Sequence, residues 1–188
     1  HTWFGSDRER LDQSPAMRLT SRAALAQAGK TIADVDVFDI YSCFPSVVQI
    51  ACKELGISPD DKRGLTVTGG LPYFGGPGNN YVTHAISGMM RRLRAQPGDF
   101  GLVTANGNYV TKHSFGVYST AAPAGPWRRE APSALQARLD ALPKAPFTES
   151  PEGAATLETY TVMHDRKGPS LAILFGRRDD GARFIAEL

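Results

Sequence analysis

The chain has 188 residues, of which 41% are hydrophobic, enough for one well-filled core or for one domain with a small module. Its 21 lysines and arginines against 19 acids leave a net charge of +2, too little to point to nucleic acid, and the charges are scattered apart from runs such as Arg91-Arg92-Leu93-Arg94. Cys43 and Cys52 fit neither a metal-ligand spacing nor a disulfide framework, no apolar run is long enough to span a bilayer, and no signal peptide is visible, so a cytoplasmic protein without a metal is expected.

His1 to Gln13 has no clear period and reads as an arm. Ser14-Pro15 supplies an N-cap and a first-turn proline; Met17, Ala24, Leu25 and Ala28 then share a helical face until Gly29 stops it. Val35 to Tyr41 is rich in strand formers. It leads through Ser42-Cys43-Phe44 to Pro45, which opens a helix with Val47, Val48, Ala51, Cys52 and Leu55 on one face and Gly56 at its end. A strand that delivers its last residues to the mouth of a helix marks the ligand-binding end of an open α/β sheet.

The next stretch organises the chain. Leu65 to Thr68 reads as a short strand, and Gly69-Gly70-Leu71-Pro72-Tyr73-Phe74-Gly75-Gly76-Pro77-Gly78 as a glycine-rich turn. A helix from about Asn79 to Ala95 follows, with Val82, Ala85, Ile86, Met89, Met90 and Leu93 in register. Free N–H groups and the positive dipole end at such a helix start suit an anionic or carbonyl-oxygen ligand, which makes Gly75, Pro77, Gly78 and Asn79 candidate binding positions. The same pattern also fits a tight surface connection capped by Asn79 or Asn80.

Phe100 to Thr104 and Ser114 to Ser119 read as strands around an Asn106-Gly107-Asn108 turn. Prolines at 123, 126, 132, 143 and 146 mark a linker around a short helical insert carrying Leu135, Leu139 and Leu142. Thr156 to Met163, Ser170 to Phe175 and Ala182 to Glu187 then read as antiparallel strands. The expected organisation is a domain at 1–120, a Pro-rich linker with a short helix at 121–153, and an incomplete β module at 154–188. The chain starts at His1 rather than methionine and closes on Leu188 inside a predicted strand, so both ends are expected to continue in a longer protein.

The motif order resembles that of thiolases. Gly69-Gly70 followed by Gly75-Gly76-Pro77 is similar to the family's Asn-Gly-Gly-Ala and Gly-His-Pro loop. Asp39 to Phe44 is similar to its strand-end motif, closer to the His-Asp-Cys-Phe of the sterol-carrier-protein type than to Asn-Glu-Ala-Phe. Ala105-Asn106-Gly107 resembles the late Cys-x-Gly. The β module is similar to the extra domain of a thiolase-like subgroup labelled acetyl-CoA acetyltransferase. The fold implied is α/β: a thiolase-like C-terminal half, a mixed sheet with helices on both faces, followed by a small truncated antiparallel β module of OB-like type.

The resemblance implies acyl-CoA C-acyltransferase chemistry, a coenzyme A thioester as substrate or ligand with no tightly bound cofactor, and an N-terminal thiolase half as the missing partner. It also implies altered catalytic positions: Tyr41 in place of the strand-end asparagine, Gly76 in place of the Gly-His-Pro histidine, Ala105 in place of the Cys-x-Gly cysteine, and Gly107 on that motif's glycine. Losing one oxyanion donor costs about 10² to 10³ in rate. Weak or absent thiolysis is therefore expected, and whether the parent is an enzyme stays open.

His113 and His84 are candidates to reach the space at Gly76, against readings as a solvated loop histidine and a histidine buried between helices. Cys43 is a candidate nucleophile, against a small buried cysteine. The alternative from another class is a non-catalytic acyl-CoA- or lipid-binding or partner-docking module. With its other half absent, the helix after the glycine loop is expected to expose Val82, Ile86, Met89 and Leu93 or to cover them with a second copy. A homo-oligomer or a partner enzyme is thus expected, without nucleic acid or a membrane span.

Overall fold

The computed structural model describes residues 1–123 and 125–188; Ala124, inside the expected linker, lies outside the described residues. Contacts divide the chain into two compact units, one made of His1–Trp3 with Asp12–Leu142 and the other of Phe4–Leu11 with Pro143–Leu188.

In the first unit, α1 (Pro15–Gln27) starts as its residues dictate: Pro15 fills the first turn and the Ser14 hydroxyl accepts the Met17 N–H. β1 is only Val37–Asp39, shorter than its run of strand formers, and is buried throughout. α2 (Pro45–Leu55) ends at Gly56 in the left-handed region. A short α3 (Leu71–Phe74), not foreseen, sits inside the glycine-rich stretch. α4 (Tyr81–Ala95), β2 (Phe100–Gly107) and β3 (Lys112–Ser119) follow, and α5 (Pro132–Asp140) is the helical insert.

The sheet is mixed: β1 runs parallel to β2, and β2 antiparallel to β3. Alternation along its strands builds two cores. Phe38 and Leu102 face Met17, Leu25, Val47, Ile50 and Leu55 of α1 and α2. Val37 and Val103 face Tyr81, Ala85, Met89 and Leu93 of α4 on the opposite side. Helices thus cover both faces, as a thiolase-like half requires.

Two expectations are corrected. Met89 and Leu93 are fully buried and Val82 and Ile86 partly so, because the chain's own sheet takes the apolar face of α4. The approach is close enough that the Met89 thioether occupies the space a side chain on Gly101 would need. Leu65 to Thr68 is not a strand. The Leu65 carbonyl accepts from Ile40 N–H at 2.8 Å, and the rest of the segment is held by side-chain bonds described below.

The second unit is a three-stranded antiparallel sheet in the order β4 (Ala155–Asp165), β5 (Gly168–Arg178), β6 (Arg183–Glu187). Arg183 is fully buried. Its guanidinium donates to Glu158 Oε2 at 2.7 Å and Oε1 at 2.6 Å, and to the carbonyls of Ser6 and Arg8 at 2.6 Å and Glu9 at 3.2 Å. That side chain binds the Phe4–Leu11 segment to this sheet. Every residue of β4 is exposed. Among the described residues no helix is long and apolar enough to cross a membrane.

Candidate functional site

Three segments converge beyond the C-terminal end of β1: the turn Tyr41 to Phe44, the glycine-rich stretch with the start of α4, and the end of β2 with the turn into β3. Each is fixed by a bond that crosses the sequence.

Asp39, the last residue of β1, has no exposed surface and organises the glycine-rich stretch. Its Oδ2 accepts from Thr66 Oγ1 and Val67 N–H at 3.0 Å and from Thr68 N–H at 3.3 Å, while its Oδ1 accepts the Tyr81 hydroxyl at 3.0 Å. Tyr81 is 1% exposed and also meets Thr68 Oγ1 at 2.6 Å. A buried carboxyl group with no cationic partner among the described residues is tolerable when neutral donors surround it in this way. Sequence reading placed Asp39 at the head of the strand-end motif and gave it no role of its own. The available signal was the second of two acids, Asp36 and Asp39, set in the run Val35 to Tyr41.

Ser42 ties the next turn down by accepting Leu71 N–H at 2.9 Å. The segment from Gly75 to Asn79 then bends to the start of α4. Gly75 and Gly78 have φ of 76° and 60°, values an L side chain rarely adopts. Gly75, Pro77, Gly78 and Asn79 are all exposed, and no side chain caps α4. Gly76 is different: a Cβ there would stand 2.8 Å from Tyr81 Cβ and 3.0 Å from Leu71 Cδ2. The position is closed to any side chain unless Tyr81 moves.

Tyr41 donates its backbone N–H to Thr104 Oγ1 at 2.9 Å, and its ring meets Tyr81 edge-on at 5.3 Å between centroids. Burial, then the nearby Cys43, holds its hydroxyl above the usual tyrosine range. Cys43 Sγ accepts Asn106 Nδ2–H at 3.2 Å. Burial raises its thiol, while the Asn106 amide and the N–H groups of Phe44 and Cys43 oppose the rise. The Phe44 ring stacks on the exposed Tyr109 at 6.0 Å.

The candidates therefore separate. Tyr41, Gly76 and Cys43 lie in one neighbourhood, connected through Tyr81 and the Tyr41 to Phe44 turn. Gly107 ends β2, and the Lys112 side chain fills the space a Cβ there would need. His84 is exposed and tilts against Phe74 at 5.3 Å, on the α4 side of the glycine stretch. His113 Nε2 pairs with Ser14 Oγ at 3.1 Å at the start of α1. It lines a groove of about 1010 Å³ bordered by α1, β3 and α5, to which neither Tyr41 nor Gly76 contributes. Among the described residues no three His, Cys, Asp or Glu side chains gather as a metal-holding group.

Residues 134–188 match the family profile of the thiolase-like protein type 1 additional C-terminal domain. Among solved structures, the chain is similar to a monomeric SCP2-thiolase-like protein type 1 from Mycobacterium smegmatis, with 45% sequence identity and a TM-score of 0.89 over 97% of this chain. It spans 40% of that protein's length. No curated protein sequence matches.

Proposed function

This chain is a thiolase-like family member, and we propose that it is the C-terminal part of an acyl-CoA acyltransferase relative that holds acyl thioesters and carries out little or no thiolysis. The observation that carries this reading is the closed space at Gly76. At that position the family's Gly-His-Pro histidine supports the oxyanion, and here Tyr81 Cβ and Leu71 Cδ2 crowd out a side chain of any size. Ala105, on the Cys-x-Gly cysteine, has no group to move a proton.

What persists suits binding. The exposed, glycine-rich approach to α4 offers backbone N–H groups and the positive end of a fifteen-residue helix to the phosphates or carbonyl of a thioester. Tyr41 can donate a phenolic hydrogen bond, and the exposed Tyr73, Phe74 and Tyr109 offer apolar surface around it. Both cysteines are free, which suits a reducing cytoplasm.

The test is calorimetric titration of acetyl-CoA and free coenzyme A into the full-length parent, with a thiolysis assay on the same preparation. We expect binding without turnover. Turnover at rates ordinary for thiolases would overturn the reading, and the absence of any binding would move the function to docking of a protein partner.

A further inference from the structure

Among the described residues β3 is an edge strand. β2 pairs with it along all eight residues, Lys112–Ser119, in unbroken register, and no strand takes its other side. In an antiparallel pair only alternate residues turn their N–H and C=O groups toward the partner; the others turn them outward. Among the described residues, no backbone group from Ser114 to Ser119 bonds to anything beyond β2. Edge strands are ordinarily blunted by a bulge, a proline or a covering segment, and β3 has neither bulge nor proline.

The groove of about 1010 Å³ described above lies along this edge. Side chains alternate between the two faces of a strand, so a cavity over one face touches every second residue. All eight residues of β3 line this groove in succession, which places it beside the strand, with Leu19 and Ala23 of α1 and Leu135 of α5 as walls. Eight residues of strand extend over roughly 26 Å, the length of an added strand rather than of a compact ligand. The exposed Trp127, of a residue type enriched at interfaces, lines the groove as well.

The charge of the groove has one dominant sign. Lys30, Lys112 and Arg129 line it, and the one acid among the described lining residues, Glu130, is paired with Arg138 at 3.2 Å. An acyl chain with an anionic head would satisfy these cations but leave the outward backbone groups of β3 buried without partners. An extended peptide satisfies both.

We propose that this groove takes an extended, acidic segment of a partner protein as an added strand on β3, with Lys112 and Arg129 meeting its carboxylates. The backbone ladder holds the segment, and the cations select it. Neither Tyr41 nor Gly76 borders the groove, so the assignment is independent of the thioester reading.

The experiment is fluorescence anisotropy with labelled seven-residue peptides titrated into the full-length parent. One peptide alternates valine and glutamate, a second alternates valine and lysine, and a third is the first with every backbone nitrogen methylated. We expect the acidic peptide to bind, and the lysine and methylated peptides each to bind about tenfold more weakly or not at all. A Lys112→Glu, Arg129→Glu double variant should weaken the acidic peptide by about tenfold, since both side chains are exposed and their reversal leaves the fold intact. Equal binding of the acidic and methylated peptides would overturn strand pairing, and equal binding of the acidic and lysine peptides would overturn the charge selection.

Hydrogen exchange with the acidic peptide bound supplies a second reading. We expect slower exchange at every second amide between Ser114 and Ser119, those turned outward, and no change at the amides already bonded to β2. Protection elsewhere with none at β3 would refute the site. Decanoate is titrated in parallel: if it protects the groove and the peptide does not bind, the occupant is an anionic lipid and the proposal falls. It falls equally if no probe binds, because the edge is then covered within the parent.

Discussion

Replacing Tyr81 by phenylalanine removes one hydroxyl and leaves the ring, so its effect reports the two bonds that close the Asp39 network, to Asp39 Oδ1 and to Thr68 Oγ1. The ring contacts with Tyr41 and Phe74 at 5.3 and 6.5 Å remain. Asp39 Oδ1 loses the Tyr81 hydroxyl at 3.0 Å while Oδ2 keeps Thr66, Val67 and Thr68. A hydrogen bond to a charged group contributes about 1.5–3 kcal/mol, and Asp39 has no exposed surface through which water could substitute, so we expect a loss of about 2 kcal/mol.

The assay is native-state hydrogen exchange at the Val67 and Thr68 amides, because both donate to the same carboxylate. A loss of about 2 kcal/mol speeds their exchange by about 30-fold. For a chain of this size the accompanying fall in melting temperature is about 4–8 °C. Exchange within threefold of wild type at both amides would refute the view that Asp39, through Tyr81, holds the glycine-rich stretch in place.

Gly76→His supplies the histidine that the thiolase resemblance puts at this position, where Tyr81 and Leu71 leave no room; we expect destabilisation by about 1–3 kcal/mol in urea melts and no gain of thiolysis. Arg183→Met leaves Glu158 without its buried partner and should lower the stability of the β4–β6 sheet by about 3 kcal/mol, read from urea midpoints of β5 and β6 amide signals. Glu158 is held below its ordinary carboxylate value of 4.5 chiefly by the Arg183 hydrogen bond, so its contribution is fully present above that pH and is lost as pH falls through the lower folded value. Acid titration should therefore loosen β4–β6 in wild type, with a flatter response in Glu158→Gln. Asp61 should titrate at about 2 by carbon-detected NMR, and Arg63→Ala should return it toward 3.8, since the Arg63 side-chain and backbone N–H bonds hold it down.

Local rules carried much of the fold. Ser14-Pro15 and Gly56 bounded helices where side-chain chemistry and positive φ place such boundaries, and the period of α4 identified its buried face correctly as a stripe. What covers that stripe was not local. Resemblance put a missing half there, whereas Met89 and Leu93 are buried against β1 and β2. Thr66 to Thr68 has strand-forming side chains, yet its hydrogen bonds go to a carboxyl 27 to 29 residues away, a tertiary choice that propensity cannot register. Asn106 stood inside a motif read for its neighbours Ala105 and Gly107, and its amide donates to Cys43 Sγ, 63 positions earlier, a pairing that no local pattern carries.

The Arg183 clamp bears on the order in which this protein is made. Its carbonyl partners Ser6, Arg8 and Glu9 lie 177, 175 and 174 residues before it, so they leave the ribosome long before the guanidinium that binds them. Closing a loop of that length costs about 0.6 kcal/mol for each doubling over a short one, and the contact order it imposes is high. The residues between can reach their own sheet first. A cut within the Phe4–Leu11 segment would be felt at β6, as a buried arginine with its carbonyl partners removed.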